Sequence, residues 1–330
     1  MIWLTWRQFR LPALLGVAAL ALLGAYLVHL GLDIRHSYDV YQARGTLSQL
    51  QDDYLGTMLL LAAAFGLIPA LIGAFWGAPL IARELETGTH RLVWNQSVTR
   101  RRWLVVKLAA VGLASVAFAG LASAALTWAA GPYDRVADDR FSTIVFGARD
   151  IAPLGYAAFA CVLGAVAGLL LRRTVAAMAL TMLAVVVVQF AVPNLLRPHF
   201  MPPERSTLAM TADAVNQAHS LGSITGGAVV GGLSIPGTWI TEVSELRTAD
   251  GRAIGDEAFG ACFDHAPKTG AGGRFGDIAV CLGKLGLHVD VAYQPNNRYW
   301  AFQLIETAFY LALAGLLAAL GLWRIGRRPS

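Results

Sequence analysis

The chain has 330 residues, of which 56% are hydrophobic and only 14% charged. A soluble globular domain carries about 25% charged residues, so the composition argues against an ordinary soluble enzyme and for a chain that meets the bilayer. The net charge of +5 does not indicate nucleic acid, because the basic residues cluster at the ends of apolar blocks. Three cysteines are too few for a disulfide scaffold, and no two are spaced as metal ligands.

A helix needs about 20 apolar residues to cross the hydrocarbon core. Six blocks meet that length: 11–32, 56–82, 104–130, 151–171, 175–196 and 300–323. The first follows Arg7 and Arg10 as a signal peptide would, but it exceeds an h-region of about 7–15 residues and reads as a retained helix. Before it, Trp3, Trp6 and Phe9 with the two arginines suit either a short helix lying in the interface or simple flanking anchors. With both termini inside, the inner segments hold 13 Lys/Arg against only Glu84 and Glu86, while the outer segments hold 13 Lys/Arg and 18 acids. That asymmetry places both termini in the cytoplasm. The uncharged stretch 220–240 is not counted as a span, since it holds six glycines and Pro236 and would put the basic C-terminus outside. It reads as part of an external domain or a re-entrant piece.

The expected fold is therefore an all-α polytopic membrane protein with a small extracytoplasmic α+β or mainly β domain before the last helix. Helices 1–5 and a cytoplasmic segment 83–103 occupy residues 1–196, the external domain 197–299, and the sixth helix with a basic tail 300–330. Within the external block, Thr238–Val243 and Leu287–Tyr293 alternate as strands do.

Chemistry is thinly signalled. The string G-x-x-x-x-G-K-[ST] is absent, so ATP has no recognisable cradle, and neither H-E-x-x-H nor G-x-S-x-G occurs. No catalytic residue, cofactor or metal is expected. Glu306 is the one acid inside a span; Gln303 and Tyr310 share its helix face, so the three can line a pathway, pair across an interface, or make a plain helix-to-helix hydrogen bond. Gly73 and Gly77 in the second span and Gly164 and Gly168 in the fourth form G-x-x-x-G, a spacing that lets helices approach closely in lipid. Cys262 and Cys281 fall in the external block, where a disulfide persists.

The informative stretch runs from Ala82 to Lys107. Gly88 breaks the helix, Thr89 caps a short surface helix through about Gln96, and Ser97 or Thr99 caps the third span. Residues Glu84, Glu86, Gly88, Thr89, Leu92, Val98, Thr99, Arg100 and Lys107 resemble the inner-loop pattern of ABC-2 type transporter permeases, E-x-E-x-G-T-x-x-L-L-x-x-x-P-[VS]-[ST]-R-x-x-x-x-x-x-K. The chain departs from it at Val93 and at Ser97, where many members have leucine and proline.

The resemblance implies a permease subunit of an ATP-driven exporter in a bacterial plasma membrane. Its partners would be a soluble ABC ATPase subunit and a second copy or related permease, in the lipid bilayer and without nucleic acid. It assigns Glu84, Glu86, Thr89, Arg91, Arg100 and Arg102 to ATPase docking or coupling. The competing readings are a membrane-anchored sensor with an external ligand domain and no transport, and an ion-coupled transporter using Glu306.

Overall fold

The computed structural model describes residues 2–89, 99–137, 139–224, 227–235, 237–265 and 268–327. The chain is mostly helical and divides into a membrane unit, 1–200 with 300–330, and an appended unit, 201–299. Among the described residues, six helices of the membrane unit are long and apolar enough to cross a bilayer.

Helix α1 (Ile2–Arg44) is followed by α2 (Ser48–Ile72), a π-turn (Gly73–Gly77), α3 (Ala78–Glu86), α4 (Arg100–Ala137) and the short α5 (Thr143–Ala148). Next come α6 (Ala152–Leu171), α7 (Thr174–Ala191) with a second π-turn (Val192–Leu196), and finally α11 (Tyr299–Arg327). The α2–α3 pair forms one span, and α6 is the most buried of the six.

The spans outrun their apolar blocks. A helix of 43 residues is about 64 Å long, twice a hydrocarbon core of about 30 Å. Residues 33–55, expected as a loop, instead extend α1 and α2 into a hairpin closed at 45–47. Polar side chains hold it: Tyr54 donates to Asp33 (2.6 Å), Tyr41 donates to Asp53, and Ser37 lies 3.0 Å from the Tyr54 hydroxyl. The N-terminal aromatic segment is not a separate surface helix, since residues from Ile2 onward belong to α1. Gly45 closes the hairpin at φ +70°, where a side chain is strained.

Both π-turns follow from proline. Pro79 has no N–H for the Phe75 carbonyl, and Pro193 none for that of Gln189. One extra residue enters each turn: the Ala78 N–H donates to Gly73 O and the Arg197 N–H to Val192 O, each five residues back.

The appended unit is α+β. Its sheet has the order β1 (Glu204–Ala209), β5 (His288–Pro295), β4 (Thr238–Val243), all antiparallel, with a bulge between Ile240 and Glu242. The stretch 220–240 supplies a second antiparallel pair, β2 (Ser220–Ile224) with β3 (Gly227–Gly231). Helices α8 (Ala212–Gln217), α9 (Asp256–Asp264) and α10 (Gly276–Lys284) share a core of Val215, Phe259, Leu282, Val289 and Val291. Asp277 at the start of α10 accepts from the Thr269 hydroxyl and from the Thr269 and Ala271 N–H groups, which hold its carboxyl below the usual range.

Cys262 of α9 and Cys281 of α10 are joined by a disulfide across a Cα–Cα distance of 5.6 Å. The bridge closes a sequence separation of 19 residues. Replacing both cysteines by serine is expected to destabilise the unit by about 3 kcal/mol in the chain-entropy model. Limited proteolysis of the intact chain reads it: cleavage confined to 201–299 should accelerate, and unchanged cleavage would show that the bridge carries no stability.

Candidate functional site

Basic residues gather at one pole, where α3 ends, α4 begins, α6 turns into α7 and α11 finishes. Trp103 and Leu104 of α4 share a core there with Ile81, Leu169 and Ile325. As α3 closes, the Thr87 hydroxyl donates to Arg83 O (2.8 Å) and lies 3.1 Å from the Thr89 hydroxyl. Gly88 between them has φ +73°, a conformation that selects glycine. Arg91 and the surface helix expected up to Gln96 lie outside the described residues. The Thr99 side chain caps α4 by accepting from the Arg102 N–H at 3.3 Å.

The two motif carboxylates differ in setting: Glu84 faces the interior and Glu86 stays at the surface. Glu84 is buried, and its Oε1 lies 2.6 Å from the Lys107 ammonium, itself only 1% exposed. Lys107 also donates to Leu80 O (3.2 Å) and stands 4.9 Å above the Trp103 ring. This pair ties α3 to α4. Glu86 ties α3 to α7: its Oε2 accepts from the Thr174 N–H (3.0 Å) and the Thr174 hydroxyl (2.6 Å), capping α7 at its first residue. Glu84 is thus buried on Lys107, while Glu86 remains exposed and is engaged by a helix terminus. Thr89 and Arg102 are exposed and Arg100 partly so.

The four packing glycines meet in one seam between the π-turn and α6. A Cβ on Gly73 would stand 2.7 Å from Ala160 O, one on Gly77 2.5 Å from Cys161 O, and one on Gly168 2.7 Å from Ala78 O. Gly164 faces the backbone of both Gly73 and Gly77.

At the opposite end, Glu306 is fully buried in α11. Arg197 grips it with two bonds, Nε to Oε2 at 2.7 Å and an Nη to Oε1 at 2.9 Å, and the Tyr156 hydroxyl donates to Oε1. The Arg197 guanidinium also stacks on Phe146 at 3.9 Å. Gln303 accepts from the Ala152 N–H (2.8 Å) and donates to Phe146 O (3.2 Å), and Tyr310 donates to Val188 O (3.3 Å) while its ring meets Tyr156. So Gln303, Glu306 and Tyr310, each 0% exposed, join α11 to α5, α6 and α7 within one chain.

Sequence reasoning missed three partners. Arg197 reads as the first residue of the external block, but the second π-turn keeps it in the membrane unit. Tyr156 lies in an apolar run, and Thr174 falls in the short connection between the fourth and fifth blocks, where nothing marks it. One signal was available for the first: an acid inside a span demands a cation nearby. Among the described residues, no three of His, Cys, Asp and Glu gather to hold a metal ion.

These features define a polytopic α-helical membrane protein whose spans are stitched together at both ends by buried polar groups. The sequence model of the family described as ABC-2 membrane transporter related matches residues 17–197, over half of the chain, and the chain belongs to that family. It is thus a transporter permease, the membrane component rather than the ATPase. No curated protein and no solved structure matches the chain.

Proposed function

We propose that the chain is the permease subunit of an ATP-driven exporter in a bacterial plasma membrane, with both termini cytoplasmic. A separate soluble ATPase would press on segment 83–103, and a second copy or related permease would complete the pathway. The observation that carries this reading is the stitching beside that segment. The Glu84–Lys107 pair and the Glu86–Thr174 cap bind three spans to the point where a partner would push. Exposed Thr89 and Arg102, with Arg100 and Arg91, are the proposed contact, and Glu84 and Glu86 transmit the motion.

The test is affinity purification of the tagged chain from native membranes, with mass spectrometry for a co-purifying chain that carries Walker motifs, and assay of its ATP hydrolysis. Arg102→Glu is expected to lose the ATPase. Glu86→Ala is expected to retain it while uncoupling hydrolysis from the permease. If the wild-type chain captures no such ATPase, the exporter reading fails, and the appended unit of a membrane-anchored sensor becomes the place to seek function.

A further inference from the structure

At the basic pole an open groove of about 490 Å³ lies between the first turns of α1 and the α2–α3 span. That volume falls in the ordinary range for small-ligand sites. Its walls are apolar: Phe9, Pro12, Phe75, Trp76, Pro79 and Leu80. Its rim is polar: Arg83, Thr87 and Thr89. The walls are held in place, since Trp76 makes edge-to-face contacts with Phe9 (5.1 Å) and Phe118 (5.4 Å). Phe75 is 54% exposed, an aromatic surface left uncovered among the described residues.

The charges select the occupant. Glu84 borders the groove but is neutralised by Lys107 at 2.6 Å. Arg83 is exposed and forms no ion pair among the described residues. Among the described residues the groove therefore carries one net positive charge, on a planar donor fork that suits phosphate, next to an apolar trough. We propose that it binds one anionic phospholipid of the adjoining leaflet, the acyl chain along Phe9, Phe75 and Trp76 and the phosphate on Arg83. A cationic amphiphile meets like charge at the rim, and a free phosphate leaves the aromatic wall uncovered. The site stands apart from the coupling role proposed above, since lipid occupancy needs no ATPase.

The test uses the full chain in liposomes containing phosphatidylglycerol with a photoactivatable acyl chain, and in matched liposomes with the phosphatidylcholine analogue. Crosslinked residues are mapped by peptide mass spectrometry. Label from phosphatidylglycerol is expected on residues 75–80, and Arg83→Gln should reduce it by about five-fold, the scale of one basic residue at an anionic surface. Arg102→Gln, exposed at the same pole but off the groove, should leave it unchanged. Equal labelling by the two lipids, or full labelling of Arg83→Gln, overturns the proposal by showing plain bilayer contact. Absence of label on 75–80 overturns it by showing that lipid does not enter.

Discussion

Glu306→Ala is expected to destabilise the membrane unit by about 3–5 kcal/mol, the usual cost of stranding one partner of a buried ion pair. Both Arg197 and Glu306 are 0% exposed, and their forked bonds at 2.7 and 2.9 Å leave the guanidinium no solvent to turn to once the carboxylate is gone. The Tyr156 hydroxyl loses its acceptor at the same time. Arg197→Ala should cost a similar amount, with the carboxylate left behind. The double variant Arg197→Met/Glu306→Leu is expected to recover most of the loss, because matched apolar groups remove the charge and the need to solvate it. Thermal unfolding in detergent of wild type, Arg197→Met, Glu306→Leu and this double variant gives the coupling energy as a double-mutant cycle. Additive losses would mean that the two groups do not hold each other. The same double variant separates roles: if transport survives in it, Glu306 is a structural tie, and an ion-coupled mechanism through this carboxylate is excluded.

The spans were legible because the bilayer imposes length and hydropathy directly, and all six apolar blocks correspond to helices. Their ends were not. Tyr54, Tyr41 and Ser37 look like loop residues, yet they bond across the α1–α2 hairpin and keep it helical where hydropathy has already fallen. Strands β4 and β5 could be read from alternation, whereas β2 and β3 could not, since their glycines erase the inward and outward pattern. At the basic pole the motif marked residues whose contacts within the chain it did not announce. Glu84 looks like a surface charge beside a loop but is buried, Glu86 is exposed yet caps α7, and their partners Lys107 and Thr174 lie 23 and 88 residues further on, where no local spacing announces either contact. Arg197 was hidden by Pro193, whose π-turn carries the chain one residue further than an α-helical count allows.

Gly164→Ala, a single added methyl, is expected to cost about 1–3 kcal/mol, as overpacking a tight interior does. The position faces backbone on the π-turn side, with Ala78 N only 2.7 Å and Gly77 C 3.0 Å from where the methyl would sit. Backbone cannot swing aside as a side-chain tip can, so relief requires α6 and the Gly73–Gly77 turn to separate. That separation would forfeit contacts along the whole seam, including those of Gly77 on Cys161 and Gly168 on Ala78. Gly112→Ala and Gly315→Ala are the controls, since nothing stands within 4 Å of a methyl at either. Both should remain within about 0.5 kcal/mol of wild type or gain slightly from alanine's better helix propensity. Thermal unfolding in detergent, followed by size-exclusion recovery, distinguishes the two classes. A Gly164→Ala protein as stable as the controls would mean that the seam is loose, and the G-x-x-x-G spacing would then be a by-product of an Ala/Gly-rich sequence. A selective loss would place the stability of this permease in the join between a π-turn and its most buried helix. It lies between the two ends already tied by Glu84 and Glu306, where a motion passed from one end to the other has to cross.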